Sequence, residues 1–414
     1  MRSLRWLSVV GLAALSAVAC APAEESSASS SDDVTSVPAS RVKEQLIGNC
    51  WIYATLGWVE SMHLAQTKEE LNLSESYVTY LHWFIRITTN DQHLMDKTGD
   101  FMTGDFFGWG VEIIRRYGLM DDAAFISTEA SVDRSTRQEA ALKIVDKALK
   151  PGGAFATAEA RKDKKKVREL LDQAFALPPA LQAKMTRAFG ADLSKTRQNG
   201  AVLEKGFRDP AKMVAGKNKS GAAITLDQAI GELDPGRVVG PMRDRGERRG
   251  PDAWQYVPFG KTPAEQAATT LRLKKALNKG YSVPIDWYPA WASMRDSDAS
   301  FHEPINLSKK GGWHASLVND YQIDVPGHGV LPVGEPVTDP KLLEQSLAPN
   351  ATIQLLRFKN SWGREVGPLA ARGFTDATWP YLTGDFDRTA IDYDEQPERG
   401  AAISAFVLPP DSWL

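Results

Sequence analysis

Apolar positions in the first third of the chain follow helical patterns. Residues 50–66 are apolar on nearly every face, which is typical of a helix that is buried all round. A second helix is predicted after Ser74, a favourable N-cap residue, because residues 77–85 repeat apolar side chains at helical spacing. Residues 111–117 show a third such pattern, and Gly118 is a typical residue for ending a helix. The sequence therefore predicts a region of packed helices.

Residues 127–260 have a different character. They are rich in Lys, Arg, Ala, Glu and Asp and poor in aromatic residues before Trp254. Residues 140–149 and 164–175 predict amphipathic helices, whereas Gly, Pro and Arg in residues 236–251 predict an irregular loop. We interpret residues 127–260 as a helical and irregular insertion within a more regular fold, or as a lid upon it.

From residue 261 onward, short apolar and alternating runs replace the helical spacing. Residues 282–287, 314–318 and 352–358 are predicted strands, separated by glycine, proline or asparagine. Helices that precede strands as a block indicate an α+β fold. We therefore predict a helical lobe over residues 41–126 and a sheet lobe over residues 261–414.

The N-terminus predicts export. Residues 1–19 contain a short basic start and an apolar run that is too short to span a bilayer, as in a signal peptide. Ala17 to Cys20 resembles a bacterial lipobox, in which Cys20 would be lipidated; the alternative is plain cleavage after Ala19. Residues 20–40 are rich in Ser, Ala and acidic residues, which predicts a disordered tether. We expect an exported bacterial lipoprotein of the cell envelope, at the outer membrane or cell surface, that meets the membrane only through Cys20.

Charge and composition narrow the classes of function. The net charge is −3 and the pI is near 6.1, so no basic field favours nucleic acid or an anionic membrane. The histidines and acidic residues do not follow metal-ligand spacings, and residues 104–110 lack the lysine and hydroxyl residue of a phosphate-binding loop. We therefore expect no metal and no organic cofactor.

Cys50 is the first candidate for chemistry, because it opens the predicted buried helix. The partial positive charge of a helix N-terminus stabilises a thiolate and would lower the pKa of this cysteine. With a histidine as its base, we expect a thiolate–imidazolium pair near neutral pH. The Gln45 side-chain amide and the Cys50 N–H could donate hydrogen bonds to a developing oxyanion. Taken alone, such a cysteine is more often a buried structural residue.

Two later segments supply partners for this thiol. His314 begins an apolar strand, where a base could be held rigidly. The Asn360 side-chain carbonyl could accept from the imidazole N–H and fix its orientation, and Trp362 could shield that hydrogen bond from water. Each segment alone has an ordinary structural explanation. Their combination in the order Gln, Cys, His, Asn is much more specific.

Together, residues 45–51, 311–318 and 358–363 resemble the papain-like cysteine peptidases (peptidase C1). The resemblance implies a two-lobed fold with a helical lobe, an antiparallel or barrel-like sheet lobe and, here, a helical insertion. It also implies site roles: the oxyanion side chain is Gln45, the nucleophile Cys50, the base His314, the orienting residue Asn360 and the shielding indole Trp362.

Residues 48–54, 109–118 and 373–381 are closest to the bleomycin hydrolase and aminopeptidase C branch of that superfamily. That branch also has a long helical insertion between its cysteine and histidine, which fits the wide separation of Cys50 and His314. The resemblance further implies that the substrate cleft is lined by Gly108, Trp109, Gly110 and Trp313.

The chain departs from the family pattern in three ways. Gln45 precedes Cys50 by five positions, where the family usually has six. The papain-type Cys-Gly-Ser-Cys segment and its usual disulfide are absent from the sequence, and the predicted export contrasts with a usually cytosolic branch.

The predicted function is hydrolysis of peptide bonds in a peptide or protein substrate through a Cys50 thioacyl intermediate. Residues 406–410 and the end at Leu414 loosely resemble a tail that enters the cleft in the bleomycin hydrolase branch, so an aminopeptidase is one alternative and an endopeptidase another. A catalytically dead, surface-anchored binding protein and a thiol amidase acting on cell-wall peptides also remain open. The sequence leaves the oligomeric state undetermined.

Overall fold

The structure is a computed structural model that describes residues 37–233, 248–295, 297–309, 311–334, 337–363, 373–387 and 399–414. The signal peptide, Cys20 and most of the predicted tether lie outside these ranges, so their roles stay predictions. Val37 is already packed into the core, 3% exposed, and its N–H donates to the Asn319 carbonyl at 3.0 Å. Residues 37–40 therefore belong to the folded body, and the predicted boundary at residue 41 is four residues late. No helix in the described ranges is long and apolar enough to cross a membrane.

The first lobe is helical, as predicted. Its elements are α1 (Cys50–Thr67), α2 (Glu75–Thr88), α3 (Phe107–Tyr117), β1 (Leu119–Met120) and α4 (Asp122–Phe125). The Ser74 hydroxyl accepts from the Tyr77 N–H and caps α2. Gly118 adopts a φ of +70° and donates to the Ile114 carbonyl, which ends α3. The helix α3 begins four residues before the predicted start.

The insertion packs against this helical lobe. Its helices are α5 (Thr136–Leu149), α6 (Ala158–Arg161), α7 (Lys164–Ala174), α8 (Pro179–Phe189) and α9 (Leu226–Ile230), and its short strands are β2 (Phe207–Arg208), β3 (Val214–Lys217), β4 (Ala223–Thr225), β5 (Glu232–Leu233) and β6 (Arg248–Arg249). Tyr80 on α2 donates to the Asp172 carboxylate of α7 at 2.7 Å, and its ring packs on Phe175. The helices α5 and α7 thus extend the core of the helical lobe.

The second lobe is built on a nine-stranded sheet, counted over the described residues. Its strands are β7 (Gln255–Pro258), β8 (Val283–Trp287), β9 (Met294–Arg295), β10 (Ser300–Phe301), β11 (His314–Val325), β12 (Gly329–Leu331), β13 (Thr352–Lys359), β14 (Phe374–Thr378) and β17 (Ile403–Leu408). A separate ribbon pairs β15 (Asp385–Asp387) with β16 (Arg399–Ala401), and the lobe's helices are α10 (Pro263–Asn278), α11 (Pro340–Ser346) and α12 (Trp379–Thr383). The fold is therefore α+β, with helices in one lobe and a sheet in the other, as predicted.

Sheet pairing positions the candidate chemistry. The strand order is β7-β17-β8-β11-β13-β14-β10-β9, with β12 paired to β11. The central strand β11 pairs antiparallel with β8 and β13, so that His314 lies opposite Trp287 and Leu317 opposite Lys359. The pair β10–β14 is parallel, so the sheet is mixed and not wholly antiparallel. The strand β7 forms one edge of this sheet, so residues 255–258, assigned from the sequence to the insertion, pack with the second lobe.

The C-terminal segment forms part of the sheet and the core. The strand β17 pairs with β7 and β8, and Trp413 is 2% exposed against Trp254 and Tyr281. The Trp413 indole donates to the Asp252 carbonyl at 3.0 Å. These contacts hold residues 406–408 within the sheet and pack Trp413 against Trp254, Tyr281 and the turn before β7. The expected resemblance to a tail that enters the cleft is therefore wrong.

Candidate active site

A short hydrogen bond joins His314 to Asn360. His314 begins β11 and Asn360 directly follows β13, so the pairing of these strands brings the two side chains together. His314 Nε2 lies 2.6 Å from Asn360 Oδ1, which also accepts from the Ser361 N–H at 2.8 Å. Because a carbonyl oxygen can only accept, Nε2 carries the proton in this bond and Nδ1 keeps its lone pair. His314 is thereby held in the tautomer that a general base requires.

Cys50 reaches the same strand from the other lobe. It is the first residue of α1, and its Sγ lies 3.5 Å from the backbone nitrogen of Ala315, directly after His314. Cys50 is a free cysteine with partial exposure, whereas His314 is 7% exposed. The structure thus brings the thiol, the imidazole and the carboxamide to one place, although 264 positions separate Cys50 from His314.

Burial shifts the pKa of the thiol and the pKa of the imidazole in opposite directions. Loss of hydration raises the pKa of Cys50 to about 11, although the Ala315 N–H opposes this effect. Burial also lowers the pKa of His314 to about 4, against the opposing hydrogen bond to Asn360. Each of these shifts disfavours the charged form of its own group. Neither shift arises from the other group, so the expected thiolate–imidazolium pair stays a prediction.

Gln45 joins the nucleophile loop to the asparagine turn. Its backbone N–H donates to the Ser361 carbonyl at 2.9 Å, and its side-chain oxygen accepts from the Ser361 hydroxyl. Its side-chain nitrogen donates to the Ile47 carbonyl at 2.9 Å, within its own loop. This bond engages one of the two N–H donors of the amide expected to bind the oxyanion, and the oxyanion role of Gln45 stays a prediction.

Trp362 covers the imidazole. Its ring stacks on His314 with centroids 4.8 Å apart and an interplanar angle of 27°. The ring centroid of Trp291 lies 4.5 Å from that of Trp362, and the ring centroid of Phe301 lies 6.2 Å from it. Such a layer excludes water from the bond between His314 and Asn360, which fits the shielding role predicted from the sequence.

A buried cation links the two lobes behind Asn360. Lys359, the last residue of β13, donates to the Ser40 hydroxyl at 2.6 Å and lies 4.0 Å from the Glu60 carboxylate on α1. The Ser40 hydroxyl in turn donates to Glu60 at 2.5 Å. Burial lowers the pKa of Lys359, although Glu60 opposes that shift. This contact ties the strand that carries Asn360 to the helix that carries Cys50.

The four residues expected to bind substrate have different surroundings. Gly108, Trp109 and Gly110 lie in the first turn of α3, where Trp109 is 6% exposed and packs edge-on against His82. A Cβ on Gly110 would lie 2.6 Å from the Thr55 hydroxyl of α1, so Gly110 permits a close helix crossing. Helix packing therefore accounts for Trp109 and Gly110. Trp313 is partly buried and packs on Tyr288 at 5.7 Å, next to His314. Contact of these residues with substrate stays a prediction.

Some residues of the site carried no usable signal in the sequence. The sequence pattern marks Ser361 only as a member of the segment 358–363, yet Ser361 forms hydrogen bonds with both Gln45 and Asn360. Gln138, in the insertion, reaches the residue before Cys50, and nothing in the local pattern marks it. Among the described residues, no group of three or more His, Cys, Asp and Glu side chains could hold a metal ion.

Comparisons with known proteins found similarity to solved structures only. No protein-family model and no curated protein sequence matches the chain. One similar structure is xylellain, a cysteine protease from Xylella fastidiosa, at 12% identity and a TM-score of 0.39, covering 92% of this chain and 86% of that one. Another is PepW from Lactobacillus rhamnosis, at 13% identity and a TM-score of 0.42, covering 91% and 81%. With identities and TM-scores this low, neither likeness assigns chemistry to a residue of this chain.

Proposed function

We propose that this protein is a papain-like cysteine peptidase that hydrolyses peptide bonds by acyl transfer through Cys50. The observation that carries the proposal is the 2.6 Å bond between His314 Nε2 and Asn360 Oδ1, next to a thiol 3.5 Å from the Ala315 nitrogen. A thiol, an imidazole in a fixed tautomer and an orienting carboxamide are the groups that nucleophilic catalysis by cysteine requires.

The first step joins the Cys50 sulfur to the substrate carbonyl carbon. As the scissile carbonyl approaches Sγ, the thiol proton passes to Nδ1 of His314 and the sulfur–carbon bond forms. The resulting imidazolium keeps its bond to Asn360 Oδ1, and the oxyanion is stabilised by the Cys50 N–H at the start of α1. His314 then protonates the leaving amine, which gives a thioester and a free N-terminus. Water, deprotonated by His314, hydrolyses the thioester and restores the thiol.

The test combines turnover with covalent labelling of Cys50. We expect the wild type to hydrolyse an N-terminally blocked fluorogenic peptide, and a peptidyl epoxide to label Cys50, as read by intact mass. Cys50→Ser should abolish both, and His314→Ala should slow both by about 100-fold or more, because it removes the general base. Thermal unfolding of each variant controls for loss of fold.

The rival hypotheses make different predictions for the same measurements. A dead, surface-anchored binding protein would show no turnover, and Cys50 would be labelled at the same rate in wild type and His314→Ala; that result would refute the proposal. A thiol amidase would be labelled at Cys50 but would cleave cell-wall peptides in place of ordinary ones. Comparing blocked with free N-terminal peptides separates endopeptidase from aminopeptidase activity. The structure gives no support to the aminopeptidase alternative, since its C-terminal segment packs in the sheet lobe.

The bleomycin hydrolase branch and the lipid anchor remain part of this proposal on sequence grounds. The long insertion between Cys50 and His314 fits that branch, whereas the position of β17 and Trp413 differs from the expected tail. We propose lipidation at Cys20 and export from the lipobox pattern of residues 17–20. Metabolic labelling with a lipid precursor, lost in Cys20→Ala, is the direct test.

A further inference from the structure

The start of α1 has an unusual cap. Asn49 occupies the N-cap position, where an Asn side chain commonly accepts from the N–H groups of the first turn. Here its side chain makes no capping bond, and its Oδ1 has no partner among the described residues, although Asn49 is 1% exposed. A buried amide oxygen without a partner is costly, so something must hold it in this position.

Two acceptors bind the side-chain nitrogen of Asn49. Asn49 Nδ2 donates to Gln138 Oε1 at 2.8 Å and to the Thr79 hydroxyl at 3.1 Å. Gln138 lies in the first turn of α5, 89 positions later, and is itself 1% exposed. Its side-chain nitrogen donates to Ser76 at 3.0 Å, and Ser76 donates to Glu129 at 2.6 Å. Gln138 is therefore fixed by its own network and can act as a rigid anchor.

The same part of the insertion binds the rest of the nucleophile loop. The Glu44 N–H donates to the Asp133 carbonyl at 2.6 Å, and Arg41 contacts both the Asp133 carboxylate at 2.5 Å and the Ala130 carbonyl at 3.0 Å. Residues 129–138, which we name the insertion clamp, thus contact the chain from Arg41 to Asn49. The last residue of the clamp, Gln138, contacts Asn49, which directly precedes Cys50.

We infer that Gln138 is a positioning residue, which keeps the Asn49 amide oxygen away from the N-terminus of α1, where Cys50 Sγ lies and the substrate oxyanion develops. This inference rests on the proposed function. The Ile52 N–H already donates to the Asn49 backbone carbonyl at 2.9 Å, so an amide oxygen released by Gln138 could turn to the N–H of Trp51. It would then place partial negative charge at the helix end where the oxyanion develops, which opposes the chemical step more than substrate binding.

The experiment compares three variants with the wild type. Gln138→Met keeps the shape but loses the acceptor, and Gln138→Glu keeps an acceptor for Asn49. The control, Gln182→Met, changes a glutamine of α8 whose side-chain nitrogen donates to the Leu177 carbonyl at 2.8 Å. We expect Gln138→Met to lower kcat about 10- to 100-fold with KM changed less than about twofold. Gln138→Glu should recover most of kcat, and Gln182→Met should leave it unchanged.

Asn49→Ala provides the decisive background. Asn49→Ala removes the amide that Gln138 would keep away from the N-terminus of α1. In the Asn49→Ala background, Gln138→Met should therefore have little further effect on kcat. An equal loss in both backgrounds, or a lower melting temperature with unchanged kcat, would overturn the inference. A crystal structure of Gln138→Met gives a readout independent of activity: Asn49 Oδ1 should bond a first-turn N–H, and an unmoved Asn49 would also overturn it. If wild type neither turns over nor labels Cys50, the proposed function has failed instead.

Discussion

The depressed pKa of His314 makes a quantitative prediction about stability in acid. The imidazole has an ordinary pKa of 6.5 and a folded-state pKa of about 4, because burial disfavours its charged form. The unfolded chain therefore binds a proton that the folded protein does not, over the range between these values. At about 1.4 kcal/mol for each pH unit, a difference of about 2.5 units corresponds to about 3 kcal/mol. This stability is present above pH 6.5 and is lost as the pH falls through 4.

The perturbation is His314→Gln, measured against the wild type over a range of pH. Glutamine does not titrate, yet it can still donate to Asn360, so other titrating groups cancel in the difference between the two proteins. The assay is urea unfolding followed by tryptophan fluorescence, with linear extrapolation to water. We expect the stability of wild type relative to His314→Gln to fall by about 3 kcal/mol between about pH 7.5 and pH 4.

Two outcomes would refute this reasoning. A difference that stays constant across the range would mean that burial does not lower the pKa of His314. A wild type that gains stability relative to the variant as the pH falls would mean that the folded protein favours the imidazolium, as the thiolate–imidazolium expectation requires. Cys50→Ser in the same assay separates these cases, because it removes the thiolate that would form that ion pair with His314.

Two further predictions concern helix packing and shielding. Gly110→Ala should lower the free energy of unfolding by roughly 1–3 kcal/mol, since the new methyl would lie 2.6 Å from the Thr55 hydroxyl, and Thr55→Ala should restore part of that loss in chemical denaturation. A Gly110→Ala protein as stable as wild type would contradict the close crossing. Trp362→Ala should lower kcat about tenfold by admitting water to the bond between His314 and Asn360, whereas Trp362→Phe should retain more activity; equal activities of the two would argue against shielding.

Local pattern was sufficient for most of the elements. The apolar stretch after Cys50, the cap at Ser74 and the stop at Gly118 each act within one or two turns, so the helices follow from neighbouring residues. The strands 283–287, 314–325 and 352–359 begin within a residue of prediction, but β11 extends well beyond residue 318 because β13 and β12 supply its partners. Strand length depends on partners that are distant in sequence, which periodicity does not show.

The sequence also identified the residue types of the site, because a thiol, an imidazole and a carboxamide have few other combined uses. It could not identify the positioning residues. Gln138 acts through a contact with Asn49, which is 89 positions away in the sequence. Lys359 acts through a contact with Glu60, about 300 positions away. The sequence neighbours of Gln138 and Lys359 do not indicate this role.

What the chain determined by itself, then, is the set of elements and the chemical groups they carry, since both depend on residue identity and short-range spacing. The tertiary structure decided the burial of the thiol and the imidazole, the hydrogen bonds of the Gln45 amide and the capping of α1. Each of these depends on what surrounds a group, and burial reversed the direction expected from the helix N-terminus at Cys50. Removal of water is a property of the packed molecule, so the charge of the thiol could be judged only after the fold was known.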